Sequence, residues 1–320
     1  MRIGLVGYYG WGNYGDELFF QVFQEWFNDH ELVLFHDPLK GKFLPNSDEL
    51  IDSVDAIIIG GGDLLIPWYK SWLYWDIRFL KKPVFVFSVG VPTWGKSDPI
   101  VLNHFKRFLA HPNVKMISLR DEESLLWVKN NLDIDKELTF SPDMALALQF
   151  PQRKVESRYI GLVLRKQKSY VAENLLHLAD TISEMGYSLK LIQLGTGKIL
   201  NDDYEVFQHI RFKNYQVVVR DSISKLSAEI ASCAYFVSMK FHGCIGAYKC
   251  GVPFIALSHA DKFVNFMKQT GNERYLSTWS DLDLSEKFER LVYEGMDFSQ
   301  RLKLVSEAKA GLERLRAEFH

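Results

Sequence analysis

The sequence predicts an α/β protein made of two Rossmann-like, doubly wound domains facing across a cleft. Three observations predict this. Short apolar runs recur along the whole chain, as expected of parallel strands buried on both faces. Amphipathic segments separate the runs. The alternation breaks once, in the polar stretch 150–157, and then restarts, and 320 residues suit two domains of ordinary size.

In the first half the strands are predicted at 3–6, 31–35, 56–59, 84–88, 116–119 and 138–140, with helical patterns at 16–28, 99–110 and 121–131. The stretch 150–157 reads as a linker. In the second half the strands are predicted at 159–164, 189–194, 216–219, 235–238 and 253–257, with helices at 169–185, 224–232 and 243–250. The tail from 285 to 319 is amphipathic and helical. The domains are therefore expected over 1–152 and 153–284, with a helical segment over 285–320 packing back on the first.

Composition narrows the function. The net charge of -2 argues against a broad nucleic-acid footprint. Three cysteines, Cys233, Cys244 and Cys250, lack metal-ligand spacing and suit small buried hydrophobes in a reducing cytosol. No cluster has zinc, calcium or two-metal spacing, so no metal is expected. Met1-Arg2 runs directly into a strand, so no signal peptide is expected. No apolar run is long enough to span a bilayer. Trp68-Tyr69, Trp72, Tyr74 and Trp75 read either as a helix face packed on a sheet or as a sugar-stacking or membrane-interface patch, with Lys81-Lys82 beside it. Membrane contact is expected to be peripheral at most.

The polar residues that carry chemistry fall at strand ends. The first strand runs into Gly7-Tyr8-Tyr9-Gly10-Trp11-Gly12-Asn13-Tyr14-Gly15-Asp16-Glu17, with four glycines within nine residues. Glycine lets backbone N–H groups approach a ligand, and a helix N-terminus favours an anion. No Gly-Lys-Ser/Thr follows. Gly10 to Gly15 matches G-x-G-x-x-G by count, but Asp16-Glu17 would repel a pyrophosphate, so a specialised loop fits better than a dinucleotide loop. Gly60-Gly61-Gly62-Asp63 follows the third strand and suits either close approach to a ligand or tight packing of loops. Arg120 ends a buried strand, and the carboxylates after it suit a first helical turn. Arg165 ends the first strand of the second half. Ser238-Met239-Lys240-Phe241-His242-Gly243 joins a strand to a helix, and there a cation and a histidine suit an anion and proton transfer near neutral pH. His259 and Lys262 follow a later strand. Lys262 suits a phosphate or carboxylate, and His259 suits an anion or a cap.

Together these motifs resemble the polysaccharide pyruvyl transferase family. The opening loop resembles its N-terminal signature. Gly60 to Asp63 and Arg120-Asp121-Glu122-Glu123-Ser124 resemble its middle motifs. Ser238 to Gly243, with Gly251-Val252-Pro253 and Asp261-Lys262, resembles its C-terminal signature. The similarity runs from the first strand to about Gly271. One departure stands out: Lys240 occupies the position where the family usually has arginine, which grips an anion with two parallel bonds rather than as a point charge.

The resemblance implies a GT-B-like arrangement with the acceptor on the N-terminal domain and the donor on the C-terminal one. It implies transfer of an enolpyruvyl unit from phosphoenolpyruvate to a sugar, forming a cyclic ketal and releasing phosphate, with no further cofactor. The acceptor would be a cell-envelope polysaccharide precursor, lipid-linked, met in the cytoplasm at the inner face of the membrane. His242 is then the leading acid/base and Asp16 its partner. Lys240, Arg165 and Lys262 are anion clamps, and Gly12, Asn13 and Gly15 shape the acceptor side. Gly61, Gly62, Asp63, Arg120, Phe241 and His259 complete the expected substrate-binding set. Two alternatives stay open: a GT-B-type glycosyltransferase using a nucleotide sugar, and a non-catalytic glycan- or anion-binding protein on the same scaffold.

Overall fold

The apolar runs form two six-stranded parallel sheets, one in each half of the chain. The structure is a computed structural model, and it describes residues 1–35, 48–71, 73–154, 157–166, 172–197, 210 and 212–319. The first sheet holds β1 (Arg2–Val6), β2 (Glu31–Leu34), β3 (Ala56–Gly60), β4 (Val84–Val89), β5 (Val114–Leu119) and β6 (Thr139–Phe140), in the order β2-β1-β3-β4-β5-β6. The helices of this half are α1 (Tyr14–Trp26), α2 (Asp48–Asp52), α3 (Pro99–Leu109) and α4 (Glu122–Leu132). β3 and β4 are buried at every position, which is why they read as unbroken apolar runs rather than alternating ones.

The helix starts follow ordinary capping chemistry. Asp98 accepts a hydrogen bond from Ile100 N (2.7 Å) ahead of Pro99 at the start of α3. Asp121 accepts one from Ser124 N (2.7 Å) at α4, with Glu122 and Glu123 in the favourable first turn.

The second sheet holds β7 (Tyr159–Val163), β8 (Ser188–Ile192), β9 (Tyr215–Val218), β10 (Tyr235–Ser238), β11 (Phe254–Leu257) and β12 (Leu276–Ser277), in the order β12-β11-β10-β7-β8-β9. Its helices are α5 (Ala172–Glu184), α6 (Ile223–Ala231), α7 (Phe241–Cys250), α8 (Asp261–Thr270) and α9 (Leu284–Glu294); α10 (Arg301–Ala317) closes the chain. Read outward from β7, the second sheet has the dinucleotide-fold order 3-2-1-4-5-6. The first has the order 2-1-3-4-5-6. Both are doubly wound Rossmann-like sheets.

The chain divides into two compact units. The first comprises Met1–Trp11, Asp16–Leu148 and Lys303–His320; the second comprises Gly12–Gly15 and Gln149–Leu302. The tail is helical, in two helices interrupted at Gly295, whose φ of 74° is left-handed. Its last part packs on the first unit. Arg316 donates to Trp26 O and pairs with Asp29 (2.8 Å), and Phe319 meets the rings of Phe27 and Phe85 (centroids 5.4 and 4.7 Å).

The structure corrects the linker reading of 150–157. Arg153 N donates to Cys250 O (3.2 Å), Lys154 N to Ala231 O (2.9 Å), and the Arg153 guanidinium to Ala234 O (2.8 Å). Two backbone N–H groups and the Arg153 side chain thus fasten the stretch to the second unit. Val155 and Glu156 lie outside the described residues.

Candidate active site

Each candidate site residue follows the C-terminal end of a parallel strand, where ligands bind in open α/β sheets, or begins the helix after it. In the second sheet the strand order reverses between β7 and β10. Val163 of β7 pairs with Ser238 of β10, so Arg165 and the segment Lys240-Phe241-His242 leave neighbouring strands at the same edge. Arg165 is exposed and Lys240 half-buried. On the other side of β7, β8 runs into Gln193-Leu194-Gly195-Thr196.

Lys240 sits at the N-cap of α7 and gives no side-chain cap to it. Its Nζ instead donates to Leu194 O (3.0 Å), tying the end of β10 to the end of β8. Ser238 fixes the turn from beneath. Its hydroxyl accepts from Lys240 N (3.1 Å) and donates to Lys240 O (2.8 Å). Phe241 is buried edge-on against Phe263 and Phe266 of α8 (5.5 and 5.8 Å), which anchors the first turn of α7. Lys262 lies with Nζ 5.9 Å from the Phe241 ring centroid, so the phenyl ring joins the two cation-bearing helix starts. His259 is exposed on the loop between β11 and α8.

The tetrapeptide Gly12–Gly15 belongs to this second unit. Thr196 N donates to Gly12 O (2.6 Å), and Asn13 forms an isolated antiparallel bridge with Gly195. Gly12 has a φ of 84°, and a Cβ there would run into the backbone of Thr196. Tyr14 is buried and its hydroxyl meets Ser227 Oγ of α6 (2.8 Å); burial drives its pKa well up, so it acts as a neutral hydrogen-bonding anchor. Gly15 packs against the His242 imidazole so closely that a Cβ would collide with Nδ1. The structure thus brings Gly12, Asn13, Gly15, Lys240, Phe241, His242 and Lys262 into one unit with Arg165.

The first-unit candidates form a separate arrangement. Its strand order reverses between β1 and β3, and the glycine loop and the triple glycine follow those two strands. Gly7 is explained by Tyr9, whose ring folds back over it while its hydroxyl donates to Gly60 O. Burial and the neighbouring Asp16 and Tyr74 push the Tyr9 pKa well up. Asp16 stands in the first turn of α1.

Gly61 and Gly62 adopt φ of 74° and 83°. Gly61 N donates to Phe87 O (3.1 Å), Gly62 O accepts from Gly90 N (2.9 Å), and a Cβ on Gly61 would strike the Phe19 ring. Of the two readings of the triple glycine, the contacts found are those of loop packing. Asp63 pairs with Arg120, which is only 4% exposed and also lies 3.9 Å from Asp121. Burial works against the guanidinium charge, but Asp63, Asp121 and Asp143 outweigh it and keep Arg120 protonated. Asp63 and Arg120 therefore brace the ends of β3 and β5 against each other.

The structure corrects the reading of the aromatic run around Trp68 as one helix face, because no helix forms among its described residues. Trp75 is fully buried, donates from Nε1 to Leu64 O (2.8 Å) and meets Phe105 and Phe108 edge-on. Trp68 is half-buried and Tyr69 exposed instead, and Trp72 lies outside the described residues. Lys81 and Lys82 are tied to α2 through Asp48 (2.5 Å) and Asp52 O (3.1 Å). Sequence reasoning missed Leu194 to Thr196, Tyr14 and Ser227. Only the strand ending near Leu194 signalled them, since their partners are remote in sequence.

Among the described residues no helix is long and apolar enough to cross a membrane, and no group of histidine, cysteine and acidic residues could hold a metal ion. A UDP-N-acetylglucosamine 2-epimerase from Rickettsia bellii shares the fold at 12% identity and a TM-score of 0.63, over 98% of this chain and 94% of that one. Anabaena Alr3699/HepE, solved in complex with UDP-glucose, shares it at 11% identity and a TM-score of 0.60, over 100% and 99%. MnaA of S. aureus, solved with UDP, does so at 10% identity and a TM-score of 0.60, over 98% and 94%. At these identities the likeness is one of fold. A search of curated proteins gives no match. The model of one family, polysaccharide pyruvyl transferase, matches residues 13–261, from within the opening loop through β7, the Lys240-to-His242 turn and the start of α8, and this chain belongs to that family.

Proposed function

We propose that this protein transfers the enolpyruvyl group of phosphoenolpyruvate to two hydroxyls of a saccharide, giving a pyruvate ketal and inorganic phosphate. Family membership supports the transferase class and a saccharide acceptor. The observation that supports the finer reading is that Arg165 and the Lys240-to-His242 turn leave the adjacent strands β7 and β10 at the same edge, two cations and a histidine together.

The chemistry suits those groups. A proton must reach the methylene carbon C3, turning it into a methyl group and making C2 electrophilic. One sugar oxygen bonds to C2, the C2–O bond to phosphate breaks, and a second sugar oxygen closes the ring. Of the two hydroxyl protons, one balances the new methyl hydrogen and the other leaves on phosphate. Lys240, Arg165 and Lys262 hold the carboxylate and phosphate while charge redistributes. His242 carries the proton, with Asp16, next in the chain to Gly15, as the second proton carrier. Gly12, Asn13 and Gly15 shape the acceptor side, with His259 at the rim of the donor side. No metal or cofactor enters this scheme. The acceptor is a cell-envelope precursor, lipid-linked and met at the cytoplasmic face.

Incubation with phosphoenolpyruvate and a panel of lipid-linked sugars tests the reading. Phosphate release coupled to a product heavier by the pyruvate ketal supports it. The rival is a nucleotide-sugar transfer, which the UDP and UDP-glucose held by two fold neighbours favour. Calorimetry separates them: binding of a UDP-sugar with none of phosphoenolpyruvate decides for the rival.

A further inference from the structure

We propose that Trp68 and Trp94, at the strand-end surface of the first unit, form a stacking platform for a pyranose ring. The inference rests on the saccharide acceptor of the reading above, and not on its donor.

The two indoles come from different loops. Trp68 follows β3 and Trp94 follows β4, both beyond the C-terminal ends of adjacent parallel strands. Their ring centroids are 4.4 Å apart with planes at 60°. Trp94 is 74% exposed and rests on the half-buried Trp68, with Tyr69 beside them 60% exposed, so the outer indole is turned to solvent. An indole as exposed as Trp94 loses the hydrophobic gain of burial, and apolar C–H groups of a ligand would restore it.

The loops are held still. Gly90 N donates to Gly62 O (2.9 Å), Leu65 N to Gly90 O (3.4 Å), and Asp98 N to Pro67 O (2.9 Å), so backbone bonds zip one loop to the other on both sides of the pair. Gly95 lies flat on Trp68, where a Cβ would enter the indole ring. Below, Trp75 roots the first loop in the core through its bond to Leu64 O. A preorganised aromatic surface binds with little loss of freedom. Thr93 and Lys96 flank the exposed ring and are exposed themselves, giving donors for sugar hydroxyls beside an apolar face. The pair also stands at the sheet edge where ligands bind in this fold, which favours a saccharide over a lipid surface.

The test uses full-length protein and saturation-transfer NMR with methyl glycosides of galactose, mannose and N-acetylglucosamine. Ring-proton signals are expected from at least one glycoside. Trp94→Ala should weaken that binding by about fivefold to tenfold, the order set by one aromatic contact, and Trp94→Phe should retain most of it. Thermal melting checks that Trp94→Ala, at an exposed position, stays folded. Phosphoenolpyruvate binding is followed separately by calorimetry. Glycoside binding through Trp94 in a protein that ignores phosphoenolpyruvate keeps the platform and removes the pyruvyl reading. No glycoside signal from wild type, or equal signals from wild type and Trp94→Ala, overturns the platform. Trp94-dependent sedimentation with anionic phospholipid vesicles, without glycoside signals, overturns it in favour of a membrane contact.

Discussion

Gly15 and His242 share one space: the imidazole Nδ1 rests where the β-carbon of any other residue at position 15 would be. The opening glycine loop therefore acts on the histidine by the absence of a side chain. Gly15 lies in the first turn of α1, where alanine fits the backbone well, so its glycine is explained by the neighbour and not by the helix.

Gly15→Ala should push the imidazole aside. Turnover should fall about as far as in His242→Gln, by roughly 10²–10⁴-fold. The double variant should lose no more than either single one, because both remove the same function. Losses that multiply in the double variant would separate the two residues and end this account of Gly15.

Lys240 is held by Leu194 O, which uses one of its three donors. Lys240→Ala should weaken phosphoenolpyruvate binding by about tenfold or more, since a charge-assisted contact contributes roughly 1.5–3 kcal/mol. It should also loosen the β8–β10 tie and lower the melting temperature slightly. Lys240→Arg should keep turnover and tighten donor binding, as arginine offers two parallel bonds. Retained turnover in Lys240→Met beside a dead Lys240→Arg would show that the charge at 240 is not an anion clamp.

What the sequence disclosed follows from the range of the interactions. β3 and β4 are legible because burial on both faces leaves an apolar run that only a parallel strand explains. β12 is two residues at a sheet edge and leaves no pattern. α8 begins in the polar run Asp261-Lys262, which reads as loop until Phe263, Phe266 and Met267 turn inward. The aromatic run at 68–75 imitates helical spacing, yet Trp75 goes to the core and Tyr69 to solvent, with Trp68 half-buried against Trp94. At the site, strand-end residues such as Arg165 and His242 are legible because Rossmann topology puts function there. The grip of Leu194 and Thr196 on Lys240 and Gly12 is not, because a backbone carbonyl or N–H carries no signature of its distant partner.

Arg120 is counted among the substrate-binding candidates on sequence grounds, but its buried pairing with Asp63 gives it a structural task. Arg120→Met should lower the unfolding free energy by about 3 kcal/mol, the low end for breaking a buried pair, since Asp63 keeps some water contact. Urea denaturation measures this. Adding Asp63→Asn should recover part of the loss. An unchanged urea midpoint with weakened glycoside binding would return Arg120 to the ligand.

Asp281 gives the protein an acid-side dependence. Burial opposes its ionisation, but Thr278 Oγ1 (2.6 Å), Ser277 Oγ (2.9 Å), Thr278 N (3.0 Å) and Lys287 Nζ (3.3 Å) outweigh it and pull the pKa down to about 2. A depressed carboxylate stabilises the fold above its unfolded pKa and ceases to as pH falls through the folded one. The melting temperature of Asp281→Asn should thus lie below wild type at neutral pH, and the gap should close between about pH 4 and pH 2. A gap constant over that window would assign the loss to packing.

His242 carries the sharpest prediction. It stands in the first turn of α7, after the Lys240 N-cap, with Phe241 anchoring the turn and Gly15 beneath the ring. Its ring meets Phe241 edge-on (5.2 Å), while Phe241 is also held by Phe263 and Phe266 and the Ser238–Lys240 turn closes by its own hydrogen bonds. Glutamine keeps a polar side chain of similar reach there, and the turn retains its other contacts, so the structural cost should be small. His242→Gln should therefore melt close to wild type and bind phosphoenolpyruvate with near-wild-type affinity, while turnover falls by about 10²–10⁴-fold. Calorimetry, thermal melting and phosphate release on the same preparation read the three quantities. A variant that melts far lower would make His242 a structural histidine. One that keeps full turnover would move the proton to another group, with Asp16 the next to replace.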